Sequence, residues 1–242
     1  MESAPPGIGQ AFNDGIEGFK KNPVMVIVGT LVYLAISMVA AWIPFLNFLF
    51  YALVLPPLAG GYIIFVLRIA KGEEPSVEDL FAGFKDYVTF LGAYWLLVLY
   101  MVLFGIPAII LIVLGFIFIT KCVGVFLLVV GYLGWLVIVI MFVLKWAFYL
   151  TIIADGWNDG GIKPAFDKSV KITEGRVLEL FLVVLILGLF AMAGAIVFGV
   201  GMLVTVPISA IGFVAYYLRL KKIYLEKTSA APPSLEPLPP QP

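Results

Sequence analysis

The chain has 242 residues, of which 63% are hydrophobic and only 12% charged, against the roughly 25% charged residues of soluble domains. A soluble core cannot hide that much apolar side chain, so lipid is the expected solvent. Basic and acidic residues balance at 15 each, which argues against a nucleic-acid partner, and the lack of any histidine removes the commonest general base and metal ligand.

In chain order, residues 1–7 read as a disordered tail. "IGQAFNDGIEGFKKNP" then places Phe12, Ile16 and Phe19 on one helical face, with Asn13, Asp14, Glu17 and Lys20 mostly opposite. Six stretches are long enough to span a bilayer: Val24–Trp42, Phe45–Ala70, Val88–Phe118, Val123–Ile153, Val177–Phe198 and Met202–Leu220. The first follows Lys20-Lys21 and is too long for the core of a secretory signal, so it is expected to be retained. Pro44 and Asn47 favour a tight turn between the first pair, Gly199 and Gly201 a turn between the last pair, and Pro107 a kink in the third span.

Two further amphipathic segments lie between spans. "PSVEDLFAGFKDYV" carries Val77, Leu80, Phe81, Phe84 and Val88 at helical spacing, and Ser76 with Asp79 makes a capping-box start. Phe81 and Phe84 are expected against lipid or the bundle, with Glu78 and Asp86 in water. "IKPAFDKSVKITEGR" has Ile162, Phe166 and Val170 as its stripe. The proline-rich residues 228–242 read as a disordered cytoplasmic tail.

Of the 15 basic residues, 14 fall on one side of these spans and only Lys121 on the other. Lysine and arginine mark the cytoplasmic side. The expectation is a multi-pass protein of the cell (cytoplasmic) membrane with both termini cytoplasmic. Its outer loops are too short for an external domain.

Each amphipathic segment precedes an odd-numbered span and centres on a small or aliphatic residue before a phenylalanine: Ala11-Phe12, Leu80-Phe81, Ala165-Phe166. "PPLAGGYIIFVLR" from Pro56 aligns without a gap on "PISAIGFVAYYLR" from Pro207, at an offset of 151. This pairs Gly61 with Gly212 and Arg68 with Arg219. The expected fold is all-α, a polytopic membrane bundle of six transmembrane helices over residues 8–227. Cytoplasmic interfacial amphipathic helices would lead three parallel units at about 8–71, 76–155 and 161–222. The middle unit ends in "KWAFYLTIIADGWNDG" and lacks the motif, and likeness of composition alone stays open as the other explanation. True equivalence requires matched kinks at Pro56 and Pro207, and close helix contacts at Gly61 and Gly212.

The stretch "LAGGYIIFVLRIAKGEEPSVEDLFAGFKDY", Leu58 to Tyr87, resembles a pattern in uncharacterised multi-pass prokaryotic membrane families. In these, a Gly-Tyr pair and a late arginine precede Gly-Glu and a short "LF-x-G-F" amphipathic helix. The pattern is also loosely similar to the membrane domain fused to glycerophosphodiester phosphodiesterases. What the resemblance implies is a helical membrane domain, with no catalytic residues to carry over.

Among polar residues, Lys145 is the most interior charge and lies close enough to the cytoplasmic end of its span to snorkel. A Lys145–Glu179 pair would ease burial of both. Asp155, Asn158 and Asp159 in "ADGWNDGG" could ligate Ca²⁺ or Mg²⁺. The distal glutamate of a calcium loop is missing, and turn chemistry explains the same residues, so no metal or cofactor is expected. Trp42, Tyr94, Trp95, Trp146, Tyr149, Trp157, Tyr216 and Tyr217 read mostly as interfacial belts.

No nucleophile–base pair is evident, so the expected role is not enzymatic. It is a scaffold or partner-binding membrane protein, in contact with the bilayer and with a cytoplasmic protein or a second copy of itself. The alternative is a small-molecule or lipid transporter with a cavity between the units. The topology has a direct test. Impermeant thiol labelling of intact cells is expected to modify Cys122 and to spare Ser229→Cys in a Cys122→Ser background. External labelling of the position-229 variant would reverse the assignment.

Overall fold

The computed structural model describes residues 7–41, 44–196 and 199–230. Among these the chain is helical and no strand occurs. α1 (Ile8–Lys21) meets α2 (Pro23–Ala41) at a bend of 101°. Asn22, which precedes Pro23, is driven out of the helical region (φ −140°, ψ 59°), as the proline ring requires. α3 (Pro44–Leu49) runs through a π-helical turn (Phe50–Val54) into α4 (Leu55–Lys71). A 3₁₀ segment (Val77–Phe84) then leads into α5 (Tyr87–Ile117) and α6 (Cys122–Lys145). α7 (Tyr149–Ala154), α8 (Ile162–Thr173), α9 (Val177–Ile196) and α10 (Met202–Ala230) complete the chain.

Five helical stretches are long and apolar enough to cross a membrane, and a sixth if the bent α1–α2 pair counts as one. The expected turn at Pro44 and Asn47 is helical instead, since proline suits the first turn of a helix. Pro107 lies inside an uninterrupted α5. α10 continues to Ala230, so the expected tail is helical at 228–230. The rest of that tail, residues 1–6, Trp42 and the end of the fifth expected span at 197–198 lie outside the described residues.

The two paired prolines are handled differently. Pro207 sits inside α10, whereas Pro56 follows the π turn at the start of α4. Pro56 has no N–H to donate to the Ala52 carbonyl four residues back. The Trp95 indole supplies that bond instead, at 3.1 Å. Trp95, expected in an interfacial belt, therefore has a specific backbone partner.

The glycines behave alike. A Cβ on Gly61 would overlap the Leu80 carbonyl oxygen, and one on Gly212 would press on the Ala11 carbonyl oxygen. Each contact is reciprocal. Gly83 lies against the Pro57 carbonyl and the Gly61 N–H; Gly15 lies against the Ile208 carbonyl and the Gly212 N–H. Only glycine permits backbones this close. The residue before each motif phenylalanine is buried, with Ala11, Leu80 and Ala165 at 1%, 0% and 0% exposure; of the phenylalanines only Phe166 is buried as well.

The expected fourth span breaks after Lys145, and α7 resumes at Tyr149. Ser169 of α8 fills the gap. Its hydroxyl accepts from the Phe148 N–H at 3.2 Å and donates to the Lys145 carbonyl at 3.0 Å. A hydroxyl is donor and acceptor at once, so one side chain satisfies both backbone groups.

The core gathers at the end of the bundle where α4, α7, α8 and α10 meet. Phe65, Phe148, Tyr216 and Tyr217 are fully buried there. Phe148 stacks on Phe213 and Tyr149 on Phe166, each at 4.8 Å. Trp146 packs edge-on against Phe166. Tyr149, Tyr216 and Tyr217 therefore belong to the core rather than to interfacial belts, and Trp146, half-buried, packs against it. Buried faces cover 50% and 56% of the apolar windows of α4 and α10, but only 11% of those of α5 and α6. The α5–α6 hairpin thus leaves most of its apolar surface uncovered by the rest of the protein.

Ser169→Ala removes a donor and an acceptor from a buried backbone break. It is expected to destabilise the fold by about 1–3 kcal/mol, read as a lower melting midpoint in detergent, while exposed Ser229→Ala leaves the midpoint unchanged.

Candidate functional site

α7 stops at Ala154, and the chain turns immediately through Gly156, Asp159 and Gly160, all with positive φ. The turn chemistry expected from "ADGWNDGG" is therefore present. It carries Asp155 into the junction of the core helices, where its side chain is 3% exposed. Lys71 from α4 reaches one carboxylate oxygen at 2.7 Å. Lys221 from α10 reaches the other at 2.6 Å, and the Tyr217 hydroxyl donates to that same oxygen at 3.0 Å. Burial alone would raise the Asp155 carboxyl, but the hydrogen bonds and charges of Lys221 and Lys71 outweigh it and hold the group below its ordinary value.

The rest of the turn is tied down in the same manner. Lys168 of α8 pairs with Asp159 at 2.7 Å and donates to the Trp157 carbonyl at 3.0 Å. The ammonium groups of Lys168 and Lys221 lie 4.9 and 5.0 Å from the Trp157 ring centre, so the indole joins two cations. Asp155 and Asp159 thus face separate lysines and do not converge on a shared cation position. Among the described residues no group of three or more His, Cys, Asp or Glu side chains could hold a metal ion.

The paired arginines also close contacts between elements. Arg219 of α10 grips Asp14 of α1 through Nε and Nη2 at 2.9 and 2.7 Å, and Nη1 donates to Gln10 at 2.9 Å. Arg68 of α4 lies 3.1 Å from Asp79 of the 3₁₀ segment. Asp79 also accepts the Ser76 N–H at 2.8 Å, completing the expected capping box. The segment's inward face is Asp79, Leu80 and Gly83, whereas Phe81 and Phe84 are exposed. They do not pack into the bundle, because the 3₁₀ winding and the glycine contact turn Leu80 inward instead.

The Lys145–Glu179 pair does not form. Lys145 is exposed and lines a cavity of about 310 Å³ with Phe104, Phe142 and Trp146. Glu179 lies within electrostatic reach of Tyr216, as does Arg176. α6 directs Lys145 toward α5, while α9 directs Glu179 toward α10. Sequence reasoning missed Lys71, Lys221, Tyr217 and Ser169. Only Ser169 left a signal, a polar residue one helical turn after Ala165 on a buried face.

Between α6 and α9 runs a groove of about 300 Å³, lined by apolar residues including Val139, Val143, Phe181 and Met192. The long apolar helices, the charged residues gathered at one end and this apolar groove define the class: an all-helical membrane protein. The chain belongs to the family described as "Domain of unknown function (DUF7847)", whose model matches residues 7–237. No curated protein and no solved structure matches it.

Asp155→Asn keeps the shape and the Tyr217 contact but removes the charge between two lysines. At neutral pH it is expected to destabilise the protein by on the order of 2 kcal/mol. Because the folded carboxyl titrates below its ordinary value, its stabilising effect is present above the ordinary carboxylate range. It is lost as pH falls through the lowered value. Melting midpoints of wild type and variant should therefore converge in strong acid and separate as pH rises toward neutral.

Proposed function

We propose that the protein is a non-enzymatic scaffold of the cytoplasmic membrane, with six spans and both termini in the cytoplasm. Its charged end would present a surface to a cytoplasmic protein or to a second copy of the chain. The observation that carries this reading is the Asp155 junction. Four elements meet there through ion pairs and a packed aromatic core, an arrangement suited to holding a fixed surface. Phe81 and Phe84 stand exposed beside it on the 3₁₀ segment, as large apolar anchors for lipid or for a partner.

The fold is read as three parallel units, each led by an amphipathic segment that docks on the closing helix of the unit before it, the first segment docking on α10 of the last unit. The contact of Gly61 and Gly83 with Leu80 and Pro57 recurs at Gly212 and Gly15 with Ala11 and Ile208, and this recurrence supports the reading, whereas the unlike settings of Pro56 and Pro207 do not. Ser169 takes the corresponding place at the broken helix of the middle unit. The likeness to the membrane domain of glycerophosphodiester phosphodiesterase fusions is kept within this proposal as a kinship of membrane architecture.

A second reading, lipid or small-molecule transport, is favoured by the membrane-facing groove between α6 and α9. Two measurements separate them. A photo-crosslinker in place of Phe81 should give one discrete protein adduct in cells. Purified protein in liposomes should leave the rate of fluorescent-lipid transbilayer movement at the protein-free value. Accelerated lipid movement without an adduct would favour transport and reject the scaffold.

A further inference from the structure

A cavity of about 580 Å³ opens where the α8–α9 link passes under the overhanging end of α10. Lys171, Arg176 and Lys227 line it from three different elements, together with Glu174 and Thr228. Ile172, Leu220 and Ile223 form its apolar wall. None of these three cations joins an ion pair among the described residues, whereas Arg68, Lys71, Lys168, Arg219 and Lys221 each hold a carboxylate. Lys20, Lys21, Lys85 and Lys163 are also without an ion pair among the described residues, but they stand apart, whereas here three such cations line one cavity.

Arg176 supplies a second observation. Its Nη1 is buried and has no hydrogen-bond partner, and the only other such side-chain atoms among the described residues are Glu179 Oε1 and the Tyr216 hydroxyl. All three belong to one neighbourhood, since Tyr216 lies within electrostatic reach of both charged groups. Nη1 itself is closed to solvent, so a ligand in the cavity would meet the guanidinium through its remaining N–H groups. Glu174 in the wall and Glu179 behind Arg176 oppose an anion, so the site suits a compact, multiply hydrogen-bonding one rather than a diffuse counter-ion cloud.

We propose that this cavity binds a phosphate group, carried by an anionic phospholipid. The planar fork of Arg176 matches two phosphate oxygens, and Lys171 and Lys227 add point charges around it. The lipid source is favoured by position. Arg176 immediately precedes Val177, where α9 begins its apolar span, so the cavity sits at headgroup level with apolar wall beside it. This inference goes beyond the scaffold reading and does not depend on it.

The test uses the full chain, delipidated in detergent and titrated with dioleoyl phosphatidylglycerol while native mass spectrometry counts bound lipid. Wild type should retain one tight lipid per chain. Arg176→Gln, and separately Lys171→Gln with Lys227→Gln, should bind it about tenfold more weakly or worse. The second variant changes only exposed side chains, so it remains informative if the first fails to fold. Lys222→Gln removes an exposed lysine of α10 outside the cavity and should bind as wild type does. Competition by glycerol 3-phosphate would keep the phosphate site and assign it a soluble ligand. Equal lipid binding by wild type and both cavity variants, or an equal loss in Lys222→Gln, would overturn the proposal.

Discussion

Two helical segments can lie backbone to backbone only where neither carries a side chain at the crossing. That steric constraint organises this protein. At Gly61 and again at Gly212, a long helix receives the carbonyl of a residue in an amphipathic segment, Leu80 in one case and Ala11 in the other. In lipid there is little hydrophobic push between helices, because the tails are as apolar as leucine. Close approach, with its dense dispersion contacts and fixed dipoles, is what remains to hold helices together. Once α4 and α10 dock in this manner, Arg68 falls opposite Asp79 and Arg219 opposite Asp14. The ion pairs follow from the glycine contacts rather than the reverse, since both arginines are more than two-fifths exposed and their pairs are screened by water.

The same docking brings the ends of α4, α7 and α10 within reach of one carboxylate. Asp155 differs from the arginine pairs in being almost wholly enclosed, so leaving it unpaired would be far more costly. Two lysines and a tyrosine satisfy it. The aromatic core beneath it lies near the charged end, while the α5–α6 hairpin extends away with most of its apolar surface uncovered by the protein. The molecule is thus most tightly built at its charged end. The phosphate cavity proposed above lies at the edge of this tight region, where a patch of cations lacks internal partners.

The helical class and the long apolar stretches were legible because they depend on composition and on periods within one segment. So was the Ser76–Asp79 capping box, which is local. The match of "PPLAGGYIIFVLR" to "PISAIGFVAYYLR" pairs Gly61 with Gly212, and both lie at close backbone contacts. What escaped depends on other segments. The π turn before Pro56 is resolved by Trp95, 43 positions away in the chain, and the break after Lys145 is resolved by Ser169. Phe81 and Phe84 point outward because a 3₁₀ winding replaces the α-helical period that was assumed. Tyr216 and Tyr217 look like belt residues in sequence and are core residues because Phe148, in the break before α7, packs over them.

The central claim is that the fold rests on these two backbone contacts. Melting midpoints of Gly61→Ala, Gly212→Ala and Gly188→Ala, measured in the same detergent, test it most directly. Gly188 lies in α9 with nothing within 4 Å of an added Cβ, so alanine there should leave the midpoint unchanged or raise it slightly. Gly61→Ala and Gly212→Ala should each lose about 1–3 kcal/mol through overpacking against a carbonyl that cannot move freely. If all three variants melt together with wild type, the contacts do not hold the fold and the account is wrong.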